Sequence, residues 1–341
     1  MTEPRAAVIG YGYAGRSFHS YLINITPGLT LHGVASSDPA KREQIVQERG
    51  CRAYASFEEV IADPLIDLVV LATPNDRHAE LAIRAMEAGK AVVTDKPMCV
   101  TLAEADRMLA TAERTGAMLS IFQNRRWDGD FLTVRGLLAA GELGKVRWIE
   151  MAWQRWGAPR GWRGTAEKGG GRLYDLGAHL LDQLLVLCPQ PVAGVYCRIH
   201  YDFPDRDVES HALVSVHFAD GTTGICDLSS MAAIEKPRFH LFGDKATFCK
   251  YGLDPQEDAM RAGAIDSAVE PEANYGVLHN GVTQRVISTV PGRWRSYYEN
   301  IRDVLTGQAE LAVKPAEVRR VMAVFDAAQR SAQSGAVVAP R

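Results

Sequence analysis

The sequence lacks the features that mark several large classes of protein. Its 341 residues carry a formal net charge of −3, with no Lys/Arg block long enough for a nucleic-acid-binding face. Six cysteines are scattered without a C-x-x-C pair, which argues against a zinc ribbon or a disulfide framework. No uncharged apolar stretch reaches the roughly 18 residues of a membrane-spanning helix, and the N-terminus leaves no room for a secretory leader. We therefore expect a soluble, cytoplasmic protein that binds neither nucleic acid nor membrane.

The first third of the chain alternates short apolar runs with helical patterns. This alternation is typical of a parallel sheet covered by helices. It predicts a doubly wound α/β Rossmann domain over residues 1–123. The predicted strands are 6–9, 31–35, 67–72, 91–94 and 118–122, and the predicted helices are 17–23, 41–49, 57–62, 78–88 and 101–115.

Beyond residue 124 the strand-like runs become longer. The dipeptide Asp220-Gly221 supplies the turn chemistry that joins antiparallel strands. This part of the chain predicts a second, α+β domain over residues 124–341, with a large and mostly antiparallel sheet. The predicted strands are 146–154, 192–202, 211–218, 223–230 and 238–242, and two helices, 294–305 and 316–333, close the chain.

A G-x-G-x-x-G motif lies directly between the first predicted strand and the first predicted helix. Gly10 allows a tight turn, Gly12 lets the backbone approach a pyrophosphate, and Gly15 lets the helix pack on the strand. The helix N-terminus offers N–H groups and partial positive charge to the phosphates. The loop, which includes Tyr13 and Ala14, is therefore predicted to bind a dinucleotide.

The end of the second strand bears on the choice between NADP and NAD. An NAD site usually carries an acidic residue there, which binds the ribose hydroxyls. Here Ser36 and Ser37 occupy that place, and Lys41 and Arg42 follow closely, a set that favours the 2′-phosphate of NADP. Asp38 would favour NAD if it turned inward, but it also suits the N-cap of the next helix. We predict NADP, with NAD as the alternative.

Two further strand ends carry polar side chains. Thr73, Pro74, Asn75 and His78 follow the third strand, at the edge of a Rossmann sheet that faces the cofactor. Asn75 could equally cap the next helix. Lys96 follows the fourth strand at the same edge, where it could stabilise a developing alkoxide or remain an ordinary solvated lysine.

A histidine and an aspartate lie four residues apart in an otherwise apolar helical pattern. Asp175 and His179 would share one face of a helix. Histidine suits proton transfer near neutral pH, but a buried structural histidine is the alternative. A metal pair is disfavoured because no third and fourth ligand follow at suitable spacing. We therefore predict no metal site.

Five motifs occur together in a characteristic order. They are G-x-G-x-x-G, Thr73-Pro74-Asn75, Asp95-Lys96-Pro97, Trp162-Arg163 and Asp175-x-x-x-His179. In this order they resemble the glucose–fructose oxidoreductase / inositol dehydrogenase / rhizopine catabolism (Gfo/Idh/MocA) family over essentially the whole chain. The chain is especially similar to the NADP-dependent branch that includes scyllo-inositol dehydrogenases.

The resemblance implies roles that spacing alone does not show. Lys96 stands at the position of the catalytic lysine, and His179 at that of the acid/base. Asp95 replaces the usual Glu of the family's Glu-Lys-Pro motif, a mild departure. Asp95, Lys96, Trp162 and Arg163 complete the predicted cofactor-binding set. The predicted substrate-binding residues are Lys96, Arg125, Trp127, Asp175 and His179.

The implied reaction is hydride transfer between a secondary alcohol of a polyol or sugar and NADP. Lys96, Asp175 and His179 form the implied catalytic set, and the sequence leaves open whether Lys96 or His179 is the formal base. Two alternatives remain, a reductase of aldose or anhydro-sugar carbonyls and a non-catalytic NADP-binding sensor. The family's second domain has an open sheet face used for assembly, which implies a homodimer or homotetramer.

Overall fold

The contacts within the chain divide it into two units. A computed structural model describes residues 3–341. The first unit comprises residues up to Asn124 together with Trp294–Arg319, and the second comprises Arg125–Arg293 together with Arg320–Arg341. Residues 294–319, which the sequence division at 123/124 placed in the second domain, thus belong to the first unit. Among the helices of residues 3–341, none combines the length and hydropathy of a membrane-spanning segment.

The first unit is built on a parallel sheet. Its strands are β1 (Arg5–Ile9), β2 (Thr30–Ala35), β3 (Arg52–Tyr54), β4 (Leu68–Leu71), β5 (Ala91–Thr94) and β6 (Leu119–Ile121). They are all parallel and lie in the order β3-β2-β1-β4-β5-β6. The predicted Rossmann fold is therefore confirmed, and β3 is a short edge strand that the sequence pattern did not reveal.

Helices connect these strands, and their ends follow local sequence signals. Thr101 Oγ1 accepts the Glu104 N–H at 3.2 Å, and the Glu104 carboxylate accepts the Thr101 N–H at 2.9 Å. This reciprocal pair is the predicted capping box, and it starts the longest helix of the group. The helices are a π-helical turn (Ala14–His19) continued by α1 (Ser20–Asn24), then α2 (Pro39–Arg49), α3 (Phe57–Ala62), α4 (His78–Glu87) and α5 (Leu102–Thr115).

The second unit contains a larger, mostly antiparallel sheet, as predicted. Its strands are β7 (Val146–Gln154), β8 (Val192–His200), β9 (His211–Phe218), β10 (Thr223–Ser229), β11 (Phe239–Gly243), β12 (Thr247–Lys250), β13 (Gly276–His279) and β14 (Gln284–Ile287). The order is β14-β13-β12-β11-β7-β10-β9-β8, and β7 with β10 is a parallel pair. The helices of this unit are α6 (Gly129–Ala139), α7 (Arg172–Asp175), α8 (Gly177–Leu187) and α9 (Gln256–Arg261). Two more helices close the chain: α10 (Arg295–Leu305) belongs to the first unit, and α11 (Pro315–Ser334) begins in the first unit and continues in the second.

The two faces of this second sheet differ. On one face α8 packs against β7 and β10, and Leu184 lies directly over Gly224. Side chains alternate along a strand, so the strand register places the residues of the opposite face in rows. That face carries five of the nine histidines, namely His200, His211, His217, His240 and His279.

An aromatic cluster accounts for the place of residues 294–319 in the first unit. The Trp294 ring stacks on Phe18 with centroids 5.5 Å apart. Phe122 lies edge-on to Tyr297 at 5.0 Å. These side chains bury large apolar areas, which stabilises the packing. The partners are far apart in the sequence, so the hydrophobic periodicity of 294–305 predicted the helix but not the unit it joins.

Candidate active site

The glycine loop of the first unit packs so closely that two of its positions admit no side chain. Gly10 has φ of 100°, and an added Cβ would come within 2.6 Å of the Ala72 carbonyl oxygen. A Cβ at Gly15 would collide with the Gly10 carbonyl oxygen. At Gly12, by contrast, nothing lies within 4 Å of an added Cβ. The loop thus leaves open space over Gly12, where the backbone can approach a pyrophosphate, and so fits a dinucleotide.

A carboxylate of α2, that of Glu48, holds this loop in place. Tyr11 Oη donates to Glu48 Oε2 at 2.9 Å, and Arg16 donates to both oxygens of Glu48 at 2.7 and 2.6 Å. The hydrogen bond from Arg16 is the main reason why the pKa of Glu48 falls to about 2. Glu48 lies 32 residues beyond Arg16, so no local pattern marked this contact.

The residues that follow β2 confirm that Asp38 caps the next helix. Asp38 Oδ1 accepts the Ala40 N–H at 3.0 Å, so Asp38 is the N-cap of α2. Arg42 Nη1 donates to the carbonyl oxygens of Ser36 and Ser37 at 2.8 and 3.1 Å, which holds its guanidinium beside the strand end. Lys41 is exposed. Two cations therefore lie in the first turn of α2.

The loops after β4 and β5 are joined by His78. Its ring is fully buried, with Nδ1 2.9 Å from the Pro97 carbonyl oxygen and Nε2 3.1 Å from that of Thr73. Burial lowers the pKa of His78, which favours a neutral ring that donates one N–H. Both ring nitrogens face protein carbonyls, so a contribution of His78 to cofactor binding would act through the positions of these loops. Asn75 is also buried, in a short 3₁₀ turn for which Pro74 is the N-cap.

Asp95 and Lys96 follow β5. The Lys96 N–H donates to Asp95 Oδ1 at 2.7 Å. Burial raises the pKa of the Asp95 carboxyl, but His19, Lys96 and His78 outweigh burial and hold the pKa below its usual range. The carboxyl ends of β2, β1, β4 and β5 are neighbours in the sheet. The first unit therefore gathers at one edge every cofactor-binding residue that was predicted before residue 97.

In the second unit, Asp175 lies among arginines. Arg163 Nε is 3.3 Å from Asp175 Oδ1, and Arg172 Nη1 is 3.7 Å from Asp175 Oδ2. The guanidinium of Arg163 also covers the Trp162 ring at 4.6 Å from its centroid. The predicted residues Trp162, Arg163 and Asp175 are thus brought together in this unit.

The predicted single helix that carries Asp175 and His179 is two helices. Asp175 ends α7, Leu176 intervenes, and α8 begins at Gly177. Gly177 packs closely on β10, since an added Cβ would lie 3.0 Å from the Leu228 side chain. Glycine permits this approach and is a poor helix former, which gives a physical reason for the break.

His179 is buried beside an aromatic ring that the sequence analysis did not single out. Its imidazole lies 5.6 Å from the Trp153 ring at an angle of 31°. The Arg125 guanidinium lies 4.4 Å from the same ring, and Arg125 also pairs with Asp128 at 3.2 Å. Two predicted substrate-binding residues, Arg125 and His179, therefore share Trp153 as a neighbour.

The segment that follows Arg125 is fixed by buried polar contacts. Arg126 donates to both oxygens of Asp182 on α8, at 2.8 and 2.7 Å. Gln183 Nε2 donates to the Arg125 carbonyl oxygen at 2.7 Å. The Trp127 carbonyl oxygen accepts the N–H of Arg293 at 2.9 Å. The first two contacts attach Arg125 and Arg126 to the helix that carries His179, and the third joins Trp127 to Arg293.

A buried carboxyl group lies under the start of α7. Glu209 accepts the Leu173 N–H and touches Gly171. Burial raises the pKa of Glu209 to about 7, although the Leu173 N–H and Arg172 act in the opposite direction. Glu209 therefore caps the helix that ends at Asp175.

Two models of one sequence family match the chain. The model described as an oxidoreductase family with an NAD-binding Rossmann fold (GFO_IDH_MocA) matches residues 4–123. The model of the GFO/IDH/MocA C-terminal domain matches residues 131–249. Both matches agree with the resemblance of the motifs.

Individual relatives cover nearly the whole chain. The uncharacterized oxidoreductase YdgJ of Escherichia coli K12 is 36% identical over 98% of each chain. The NADP⁺-dependent scyllo-inositol 2-dehydrogenase IolW of Bacillus subtilis 168 is 29% identical over 96% of this chain and 94% of its own. Among solved structures, an NAD-binding protein from Listeria innocua superposes with a TM-score of 0.87 at 30% identity, covering 99% of this chain and 97% of its own.

The raised pKa of Glu209 predicts a specific dependence of stability on pH. Between about 4.5 and about 7 the folded protein retains a proton that the unfolded chain has lost, so ionisation of this group lowers stability as pH rises. Below this window both states are protonated, and above it both are ionised. Glu209→Gln removes the titration and can still accept from the Leu173 N–H. The free energy of unfolding of the wild type should therefore fall, relative to that of the variant, by roughly 1–3 kcal/mol as the pH rises from about 5 to about 8.

Thermal and urea unfolding at the two pH values measure this difference. Glu167→Gln, which neutralises an exposed carboxylate of the same unit, is the matched control and should show the wild-type pH dependence. An equal pH dependence for Glu209→Gln and the wild type would contradict the assignment.

Proposed function

The chain belongs to the Gfo/Idh/MocA oxidoreductase family, and we propose that it transfers hydride reversibly between a secondary alcohol of a polyol or sugar and NADP. The observation that carries the proposal is the shared edge of the first sheet. There the glycine loop, the β2 end with its two cations, and Lys96 follow neighbouring strands. When bound, the nicotinamide ring supplies the hydride acceptor or donor.

The details of the β2 end support NADP over NAD. The Asp38 carboxylate is engaged by the backbone of α2, which leaves no acidic side chain committed to a free ribose at this position. Ser36 and Ser37 would offer hydroxyl groups to the 2′-phosphate, and Lys41 and Arg42 would offer charge. The glycine loop would hold the pyrophosphate through its backbone N–H groups. The relative IolW, named as NADP⁺-dependent, supports the same choice.

Three side chains would act on the substrate. In the oxidative direction His179 takes the hydroxyl proton. Lys96 polarises the reacting oxygen, and Asp175 orients His179 or binds a neighbouring hydroxyl group. The buried surroundings of His179 would keep water from the proton that it carries. The pH dependence of turnover in His179 and Lys96 variants decides which of the two is the formal base.

A polyol of the inositol type is the proposed substrate class. The motif resemblance and the name of IolW support it. Arg125 and Trp127 would contribute to substrate recognition from the second unit, and Trp162 and Arg163 would contact the cofactor. A panel of inositols and aldoses, followed by absorbance of the reduced nicotinamide, tests the substrate class. Turnover with aldoses alone would favour the carbonyl reductase, and cofactor binding without any turnover would favour the sensor.

We also propose that the open face of the second sheet pairs with a second copy of the chain, giving a homodimer or homotetramer. Trp148 and Phe242 lie side by side on this face and are 39% and 37% exposed. Large exposed apolar side chains on a sheet face favour burial in an interface.

We also propose that the protein lies in the cytoplasm, because all six cysteines are free thiols. Fractionation of the producing cells would test this location.

Cofactor preference is tested by Arg42→Ala. Loss of the guanidinium should raise the KM for NADP⁺ roughly tenfold, because one charge-assisted contact to phosphate is lost. The KM for NAD⁺, which lacks the phosphate, should change less than about twofold and serves as the internal control. A wild-type preference for NAD⁺ would show that the interpretation of the β2 end is wrong.

The role of His179 is tested by His179→Ala. Turnover should fall about 10²- to 10⁴-fold because general acid–base catalysis is lost, while the Kd for NADP⁺ stays within about twofold of the wild type. His32→Ala, at a half-buried histidine of β2, is the control and should keep normal turnover. Normal turnover of His179→Ala would rule out the assignment.

The oligomeric state is tested by Trp148→Glu. A charge buried against the partner's apolar face should convert the assembly to monomers, as measured by light scattering after gel filtration. Val282→Glu introduces the same charge at a side chain that is 87% exposed in the turn between β13 and β14, and should leave the assembly intact. A monomeric wild type would end this part of the proposal.

A further inference from the structure

A buried histidine of the first unit lies between a tyrosine and the aspartate that precedes Lys96. His19 is at the end of the π-helical turn and is fully buried. Its Nδ1 lies 2.6 Å from Tyr298 Oη, and its Nε2 lies 3.7 Å from Asp95 Oδ2. The side chain therefore connects α10 to the loop after β5.

The tyrosine bears on which nitrogen of His19 carries the proton. Tyr298 is fully buried, and burial is the main cause that raises its pKa well above the ordinary value. Its hydroxyl thus keeps its proton and can donate it to Nδ1. With Tyr298 as the donor, the proton of a neutral imidazole resides on Nε2, which faces the Asp95 carboxylate.

Asp95 links His19 to the backbone of Lys96. Its Oδ2 faces His19, and its Oδ1 accepts the Lys96 N–H at 2.7 Å. On the other side of the loop, His78 Nδ1 lies 2.9 Å from the carbonyl oxygen of Pro97. The backbone on both sides of the lysine side chain is therefore held by buried polar groups.

We propose that Tyr298, His19 and Asp95 form a positioning chain that fixes the backbone of Lys96. Tyr298 and His19 are positioning residues that act through Asp95. The inference rests on the proposed function, because it assumes that Lys96 polarises the reacting oxygen.

The alternative is that these groups merely fill the core. Burying a hydroxyl, an imidazole and a carboxylate costs free energy that apolar side chains of similar volume would not. The three residues come from three separate parts of the chain, and their contacts end at the backbone N–H of Lys96. This convergence is the observation that favours positioning.

The chain offers a closely matched pair of variants. Tyr297 neighbours Tyr298 on α10, is also buried, and also packs on Phe122. Its hydroxyl donates to Ser120 Oγ at 3.0 Å, whereas that of Tyr298 lies 2.6 Å from His19 Nδ1. Tyr298→Phe and Tyr297→Phe therefore each remove one buried, hydrogen-bonded hydroxyl.

The measurements are the melting temperature, the Kd for NADP⁺ and the kcat with the best substrate of the panel. Both variants should melt at similar temperatures and bind NADP⁺ within about twofold of the wild type. Only Tyr298→Phe should lower kcat, by roughly threefold to tenfold, the effect of one hydrogen bond. Asp95→Asn, which keeps an acceptor for the Lys96 N–H but removes the charge that faces His19, should lower kcat in the same direction.

A spectroscopic readout separates positioning from packing. Two-bond ¹H–¹⁵N correlation spectra report the tautomer of each histidine ring, and a His19→Gln variant identifies the His19 signals. The wild type and Tyr297→Phe should show the proton of His19 on Nε2. In Tyr298→Phe the His19 signals should move, because Nδ1 has lost its donor.

The outcomes separate this inference from the proposed function. Equal kcat values for the two tyrosine variants, or unchanged His19 signals in Tyr298→Phe, would overturn the positioning chain. Lys96→Ala is measured alongside. If it keeps full turnover, the proposed role of Lys96 fails, whatever the tyrosine variants show. If it is inactive while Tyr298→Phe matches Tyr297→Phe, only the positioning chain fails.

Discussion

The contact between two glycines of the first unit sets the geometry on which the cofactor-binding edge depends. Without a Cβ at Gly15, the helix can lie directly against the Gly10 carbonyl, and without one at Gly10 the loop can lie against Ala72 at the end of β4. The first helix is thereby held against β1 and the β4 loop at once. Gly12, with open space where a side chain would lie, directly precedes this helix, and His19 at the end of its first turns lies beside Asp95. One close backbone approach thus orders both the dinucleotide loop and the surroundings of Lys96.

Each unit places buried polar contacts next to its candidate reactive residue. In the first unit, Asp95 binds the Lys96 N–H and faces His19. In the second, Arg126 forms a buried bidentate pair with Asp182, which lies on the helix that carries His179. Such pairs contribute little net stability because desolvation offsets their attraction. Their value lies in geometry, since breaking either partner leaves an uncompensated charge. We infer that both units use buried charge to hold side chains in place.

Features encoded by neighbouring residues could be predicted from the sequence, and features made by distant residues could not. The capping box at Thr101 and the N-cap at Asp38 are local hydrogen bonds between residues two or three apart, and both were predicted. The first sheet followed from its apolar runs, except for β3, which is only three residues long. The neighbours of His179 and His19 could not be predicted, because Trp153 precedes His179 by 26 positions and Tyr298 follows His19 by 279.

The same distinction bears on the aspartate at position 95. The family resemblance implies a Glu at this position, and Asp95 is shorter than Glu by one methylene. The short side chain lets Oδ1 accept the N–H of the next residue while Oδ2 still faces His19. Asp favours such local side chain–backbone hydrogen bonds more than longer acids do. The substitution is therefore consistent with a carboxylate that anchors its own loop, with His19 and Tyr298 supplying from elsewhere in the fold the contact that completes the anchor.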